Sequence, residues 1–147
     1  NKAGENALHY TMKHQGSDKI FLEQRPQLIE LFTAHGTPID SPNIEGETAL
    51  HYLFKTEGIK HAEMNTRIAL LPALLACGAN PNAVTHMEET PLHYAMKYKE
   101  MHDAYNIKRQ EAIKILVEHG ACVNSTTTNL ETPLHYAFKN HDRDEHG

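Results

Sequence analysis

Twelve histidines and 19 acidic side chains in 147 residues are the groups whose types would support metal binding or acid–base chemistry. Their spacing argues against both. A zinc site needs several ligands brought to one point, and no pair of these histidines stands one helical turn apart with a third ligand nearby. Glu5, Glu47, Glu89 and Glu131 lie far apart along the chain, whereas a carboxylate acid/base pair needs two groups in one site. Cys77 and Cys122 stand alone, too few for a disulfide framework. The chain has no nucleophile motif such as Gly-x-Ser-x-Gly and no glycine loop built to cradle phosphate. These residues therefore imply no catalytic group, no metal site and no cofactor.

The same residues carry a different signal once their positions are compared. Leu-His-Tyr occurs at Leu8, Leu50, Leu92 and Leu134, each 42 residues after the last. Gly36, Gly78 and Gly120 keep that step, as do the four glutamates, Lys13, Lys55, Lys97 and Lys139, and Arg25, Arg67 and Arg109. Columns in one phase mark an internal repeat, to be recognised before any other fold assignment. The units run 1–42, 43–84 and 85–126, with a partial fourth at 127–147.

Each unit has its own local logic. Thr48, Thr90 and Thr132, with Asn6 in the first unit, precede an apolar segment. Thr and Asn cap a helix because a side-chain oxygen satisfies a free backbone N–H. Pro91 and Pro133 follow at the first helical position, where a missing N–H costs nothing. This predicts a helix A. A second apolar run recurs at three- and four-residue steps, as in Ile113, Ile115, Leu116 and Val117, and ends at the periodic glycine, which supplies a left-handed C-cap. This predicts a helix B. Short polar segments such as Asn80-Pro81-Asn82-Ala83 then turn the chain back. Neither helix can bury its apolar face alone, so the units must stack.

Thr90-Pro91-Leu92-His93-Tyr94-Ala95, its copy at Thr132–Ala137, Cys77-Gly78-Ala79-Asn80-Pro81-Asn82 and His119-Gly120-Ala121-Cys122-Val123-Asn124 resemble ankyrin repeats over the whole chain. The resemblance implies an all-α ankyrin-repeat solenoid of helix-turn-helix units joined by short hairpin-like loops. Two departures stand out. The family unit has about 33 residues, and the nine extra here fall between helix A and helix B, at 14–24, 56–66 and 98–108. They are expected to form loops in the first two units or to add about one turn to each helix, either deepening the stack or giving a second binding edge. Gly4 and Gly46 hold the family's turn glycine, but Glu88 and Leu130 replace it later. There the turn either changes type or tolerates strain.

The resemblance also implies function: binding of a protein partner on the concave face made by hairpin tips and helix A. By carry-over the tips are Ile44, Glu45, His86, Met87, Thr128 and Asn129. Lys55, Lys97 and Lys139 near the end of helix A, and Tyr94 on the groove floor, complete the candidate set. Each has a plainer reading. The lysines suit the C-terminal end of a helix dipole, and the glutamates suit the N-terminal end. The tyrosines suit packing between units. The motif histidines His9, His51, His93 and His135 are expected to tie turn to helix, with the dipole disfavouring their charge. The arginine column is expected to pair with the inserted segments. Two other functions stand beside the binding module: the targeting part of a larger enzyme, such as a secreted bacterial effector, and a structural spacer.

A net charge of −5 gives no electrostatic footprint for nucleic acid. No stretch approaches the ~20 apolar residues of a membrane span. The solitary cysteines fit a reducing, intracellular compartment, cytoplasmic or nuclear, or the host cytosol for a secreted effector. The partner is a protein, and the chain is expected to act as a monomer. The N-terminal residues lack both an initiating Met and a signal-peptide pattern, which reads as a piece of a longer protein.

Overall fold

The computed structural model describes residues 1–13, 19–55, 61–97 and 103–142. Among them the elements are α1 (Ala7–Lys13), α2 (Lys19–Ala34), α3 (Ala49–Phe54), α4 (His61–Ile68), α5 (Leu71–Ala76), α6 (Pro91–Met96), α7 (Asp103–Glu118) and α8 (Pro133–Asp142). No strand occurs among the described residues. The short helices α1, α3, α6 and α8 are the helix-A series, and they stack in sequence order. The helix-B series, α2, α4 with α5, and α7, packs behind them.

Local chemistry sets the ends of these helices. Asn6 Oδ1 accepts from the backbone N–H of Leu8 at 3.0 Å and of His9 at 3.2 Å. In α6, Thr90 Oγ1 accepts from His93 N–H, and Thr90 N–H donates back to His93 Nδ1 at 3.1 Å. This is a reciprocal capping box with histidine in place of the usual Glu or Gln. At the other end Gly36, Gly78 and Gly120 take φ of 90°, 88° and 91°. The residue after each glycine donates to a carbonyl five positions back, for example Thr37 N–H to Phe32 at 2.9 Å. These are Schellman closures, and only glycine adopts that φ without strain. His35 and His119 add a second closure, each with Nδ1 2.8 Å from a carbonyl of the last turn.

The extra residues of the unit fall unequally. Helix A has seven described residues in α1, six in α3 and α6 and ten in α8, while α2 and α7 reach 16. In the first and third units the described lengthening lies in helix B; residues 14–18, 56–60 and 98–102, between the two helices, lie outside the described residues. The expected loops at Gly16 and Gly58 lie outside the described residues. In the second unit helix B breaks at Ala69 and Leu70, between α4 and α5. Pro72 explains the break: it has no N–H for the carbonyl of Ile68, and its ring crowds that carbonyl. The core runs along the stack as Leu8, Met12, Ile29, Leu50, Leu53, Phe54, Leu71, Leu74, Leu92 and Leu116, each at most 2% exposed.

Between units the hairpin turns form a backbone chain. Ile44 N–H donates to Ala3 at 2.9 Å, His86 N–H to Glu45 at 3.0 Å, and Thr128 N–H to Met87 at 3.1 Å. Gly4 and Gly46 take φ of 69° and 83°; Glu88 and Leu130 take 59° and 60° at the same step of their turns. The turn keeps its type without glycine, so strain of about 1–2 kcal/mol is tolerated at each non-glycine position.

Candidate partner-binding groove

The turn tips and the C-terminal ends of the helix-A series form one face. Between the first two units it opens into a cleft of about 330 Å³ whose lining includes Ala3, Lys13, Ile44, Tyr52 and Lys55. A cleft of that size falls at the low end of small ligand sites.

A ladder of buried polar groups underlies this face. Glu5 accepts from Lys13 Nζ at 2.7 Å, from Asn1 Nδ2 at 2.7 Å, and from the Tyr52 hydroxyl of the next unit at 2.6 Å. Glu47 accepts from Lys55 Nζ at 3.0 Å, Asn43 Nδ2 at 2.9 Å and the Tyr94 hydroxyl at 2.7 Å. Glu89 takes the Tyr136 hydroxyl at 2.7 Å, with Lys97 at 3.7 Å, and Glu131 pairs with Lys139. Glu5, Glu47 and Glu89 thus each join the lysine eight residues on to the tyrosine 47 residues on. The Lys13 ammonium, then Tyr52 and Asn1, hold the Glu5 carboxyl at about 2. At Glu47 burial pushes the pKa up, but donors from Tyr94, Asn43 and Lys55 outweigh it and the net shift is down. Burial, followed by the glutamate acceptor, pushes Tyr52, Tyr94 and Tyr136 up.

The motif histidines form a parallel rung. His9, His51 and His93 place Nε2 within 2.7–2.9 Å of the backbone carbonyls of Glu47, Glu89 and Glu131. A carbonyl only accepts, so Nε2 carries the proton. At His51, Nδ1 takes the Thr48 N–H at 3.1 Å. That arrangement needs a neutral ring, and burial pulls the His51 pKa down to about 4. The expected tie from turn to helix is present, and it extends to the next unit as well. Each ring also meets the following tyrosine edge-on, at 4.8–5.1 Å between centroids.

The candidate residues divide on this geometry. Ile44 is 64% exposed and Met87 53%, and Glu45, His86, Thr128 and Asn129 are also exposed. Lys97 and Lys139 are exposed, while Lys55 is half-buried and lies 5.2 Å above the Tyr52 ring. Tyr94 does not fit the set. It is 8% exposed and its hydroxyl is held by Glu47, so it ties two units together and offers no surface to a partner. Helix dipoles alone do not account for the glutamate and lysine columns, because the two columns bind each other and the tyrosines. Arg67 donates Nη1 to the carbonyls of Tyr52 at 2.9 Å and Lys55 at 2.7 Å, closing the end of α3. The expected pairing of the arginines with the inserted segments 14–24, 56–66 and 98–108 falls in part on residues 14–18, 56–60 and 98–102, which lie outside the described residues. What the sequence reading missed was the link between columns. The signal was available in three ionisable or polar columns sharing one phase, each placed to supply what the other two lack.

Among the described residues no group of three His, Cys, Asp or Glu side chains is placed to hold a metal ion. No helix among them is long and apolar enough to cross a membrane. No curated protein matches the chain. A family model described as ankyrin repeats, in three copies, matches residues 59–145. With the stacked helix pairs, the capping histidines and the glycine closures in place, the chain belongs to the ankyrin-repeat family.

Proposed function

We propose that this protein binds a protein partner along the face of turn tips and helix A, and does no chemistry of its own. Ankyrin repeats are generally protein–protein interaction modules. The observation that carries the reading here is the exposure of Ile44 and Met87 on successive turn tips, with Ile44 lining the cleft. Exposed apolar groups on a rigid support favour association, because little ordering cost falls on the binder. On this reading residues 1–147 act as one domain, with units 1–42, 43–84, 85–126 and a partial 127–147, and as a monomer. The free thiols of Cys77 and Cys122 suit a reducing compartment, cytoplasmic or nuclear.

The test is capture of a partner by the wild-type chain and by a variant carrying Ile44→Ser and Met87→Ser. Both side chains are exposed, so the far-UV circular dichroism melt should be unchanged. Loss of capture with an intact melt supports the groove. Unchanged capture by the folded variant sinks it.

A further inference from the structure

The helix α8 keeps the sequence of the other helix-A members and loses their burial. Leu8, Leu50 and Leu92 are buried, as are Met12 and Phe54 one turn on. Leu134 and Phe138 hold the same two steps in α8 and are 59% and 62% exposed, with Leu130 of the adjoining turn at 77%. Terminal units of a solenoid carry a polar outer face. The outer face of α8 is apolar instead, and exposed apolar groups gathered on one element mark an interaction site.

The polar groups of this face say what it fits. Four kinds of bond join successive units of the stack. The turn carbonyls of Ala3, Glu45 and Met87 each accept an N–H from the following turn. His9, His51 and His93 each donate Nε2–H to a carbonyl 38 residues on. Glu5, Glu47 and Glu89 each accept the tyrosine hydroxyl 47 residues on. Asp40 and Asn82 each accept a backbone N–H 40 residues on, from Asn80 and Cys122. At the next step of these columns stand Asn129, His135, Glu131 and Asn124. Among the described residues none of the four has its onward bond: His135 is engaged only through its backbone N–H and Nδ1, and the Glu131 carboxylate only by Lys139. A lipid surface or a featureless apolar segment would cover Leu134 and Phe138 and leave these groups buried without partners, which is costly. A turn and helix A in phase with the stack would satisfy Asn129, His135 and Glu131 together. Leu130 does not bar such a turn. Glu88 holds the same step at a φ of 59°, and Thr128 N–H still reaches the Met87 carbonyl at 3.1 Å.

The occupant must also bring a helix B. The members α4 and α7 pack on each other behind the helix-A series, and no helix B stands behind α8 among the described residues. The first unit of a second copy opens on a turn and helix A and would leave that place empty. We propose that the outer face of α8 docks a helix B, turn and helix A of this same 42-residue pattern. The occupant's tyrosine hydroxyl bonds Glu131, its turn carbonyl accepts from His135 Nε2, and its turn N–H donates to the Asn129 carbonyl. The C-cap loop of its helix B meets Asn124.

The experiment appends to the 147-residue chain a second copy of residues 106–147, which continues the 42-residue phase. The extended chain should melt at least about 5 °C above the parent. Leu134→Ser with Phe138→Ser reads the face itself. In the parent, where both side chains are exposed, the melt should move by less than about 1 °C. In the extended chain the same pair should lower it by at least about 5 °C. Tyr136→Phe made in the appended copy alone should lower it by about 2 °C. The His135 Nε2 proton, open to water in the parent, should exchange slowly in the extended chain by nitrogen-edited NMR. An extended chain that melts with the parent overturns the proposal, as does a double variant equally silent in both chains. If the double variant keeps the extended chain from folding, the His135 proton decides, and its fast exchange in the unsubstituted extended chain overturns the proposal. Sedimentation of the parent up to about 200 μM checks the other occupant, and a single monomeric species is expected. Self-association that disappears with Leu134→Ser and Phe138→Ser would show that a second copy takes the face, and the proposal falls.

Discussion

The first two turns and the last two trace the same backbone with different side chains. Asn43 accepts from Glu45 N–H and Glu47 N–H, both at 2.9 Å, and its amide reaches Glu47 and Tyr52. Asn1 does the same in the first unit. Thr85 and Thr127 take that place in the later units. Their hydroxyls accept the equivalent N–H groups at 3.3 Å and have no amide arm for the glutamate. The glutamate side chains follow suit: Glu5 and Glu47 are 3% and 2% exposed, Glu89 and Glu131 13% and 19%. Nearly identical repeats therefore differ in how tightly turn, floor and neighbour are bound. In a solenoid stability is a sum of unit and nearest-neighbour terms, so the later turns are where opening begins.

Removing the asparagine should break the comparison most severely. Asn43→Ala strips the acceptor from two backbone N–H groups and a donor from both the Glu47 carboxylate and the Tyr52 hydroxyl. A cost of about 3–4 kcal/mol is expected in urea melts, from several buried groups losing partners at once. Thr85→Ala removes only the two longer bonds and should cost about 1 kcal/mol. Equal losses at the two positions would show that the asparagine arm carries no extra weight.

Acid is the next lever. His51 is fully buried with its pKa near 4, against about 6.5 in an unfolded chain. The unfolded state then binds more protons between those values, so stability falls as pH drops. His51's contribution is complete above pH 6.5 and is lost on the way down to about 4, amounting to about 3 kcal/mol. Glu5 acts lower still, its contribution present above the ordinary 4.5 and lost as pH falls towards about 2. A His51→Gln chain should have lower stability at pH 7 and a visibly flatter slope between pH 6.5 and 4. An unchanged slope would remove His51 from the account.

The glycines distinguish the turns in a third way. A Cβ at Gly46 would stand 2.9 Å from the backbone N of His86, at a φ of +83°. Gly46→Ala should therefore cost about 2 kcal/mol or more, combining strain and a backbone clash. Glu88→Gly should do the opposite, relieving about 1–2 kcal/mol of strain against the entropy glycine adds to the unfolded chain, for a net gain of about 0.5–1 kcal/mol. Thermal melts of both variants test the pair. A loss on Glu88→Gly would mean the glutamate side chain contributes more than its backbone strain costs.

Much of this was legible in the sequence, and the parts that were not share a cause. Leu92, Thr90 and Gly120 each act within one unit, and their roles followed from residue type and position alone. The break between α4 and α5 at Pro72 was not read from the sequence. Tyr94 was misplaced because its partner, Glu47, belongs to the preceding unit, and a column read by itself does not reveal what lies across the interface. The tautomer of His51 depends in the same way on the Glu89 carbonyl 38 residues on. The longer front of helix B was also hidden, since helical propensity alone does not say which helix takes added residues.

The smallest expected difference lies in the lysines. Lys55 is half-buried, 3.0 Å from a carboxylate that is 2% exposed, and sits over the Tyr52 ring. Lys139 is 63% exposed and its Glu131 partner is more open to water. Lys55→Met keeps the stem but removes the charge, leaving Glu47 with one donor fewer in a dry site; about 1–2 kcal/mol should be lost. Lys139→Met removes a pair that water screens, and a change of about 0–0.5 kcal/mol is expected. Because the stem is retained in both, the contrast isolates the charge from the packing. If the two variants melt together, burial of the glutamate does not govern the strength of the ladder, and the asparagine turns of the first half owe their advantage to the backbone bonds alone.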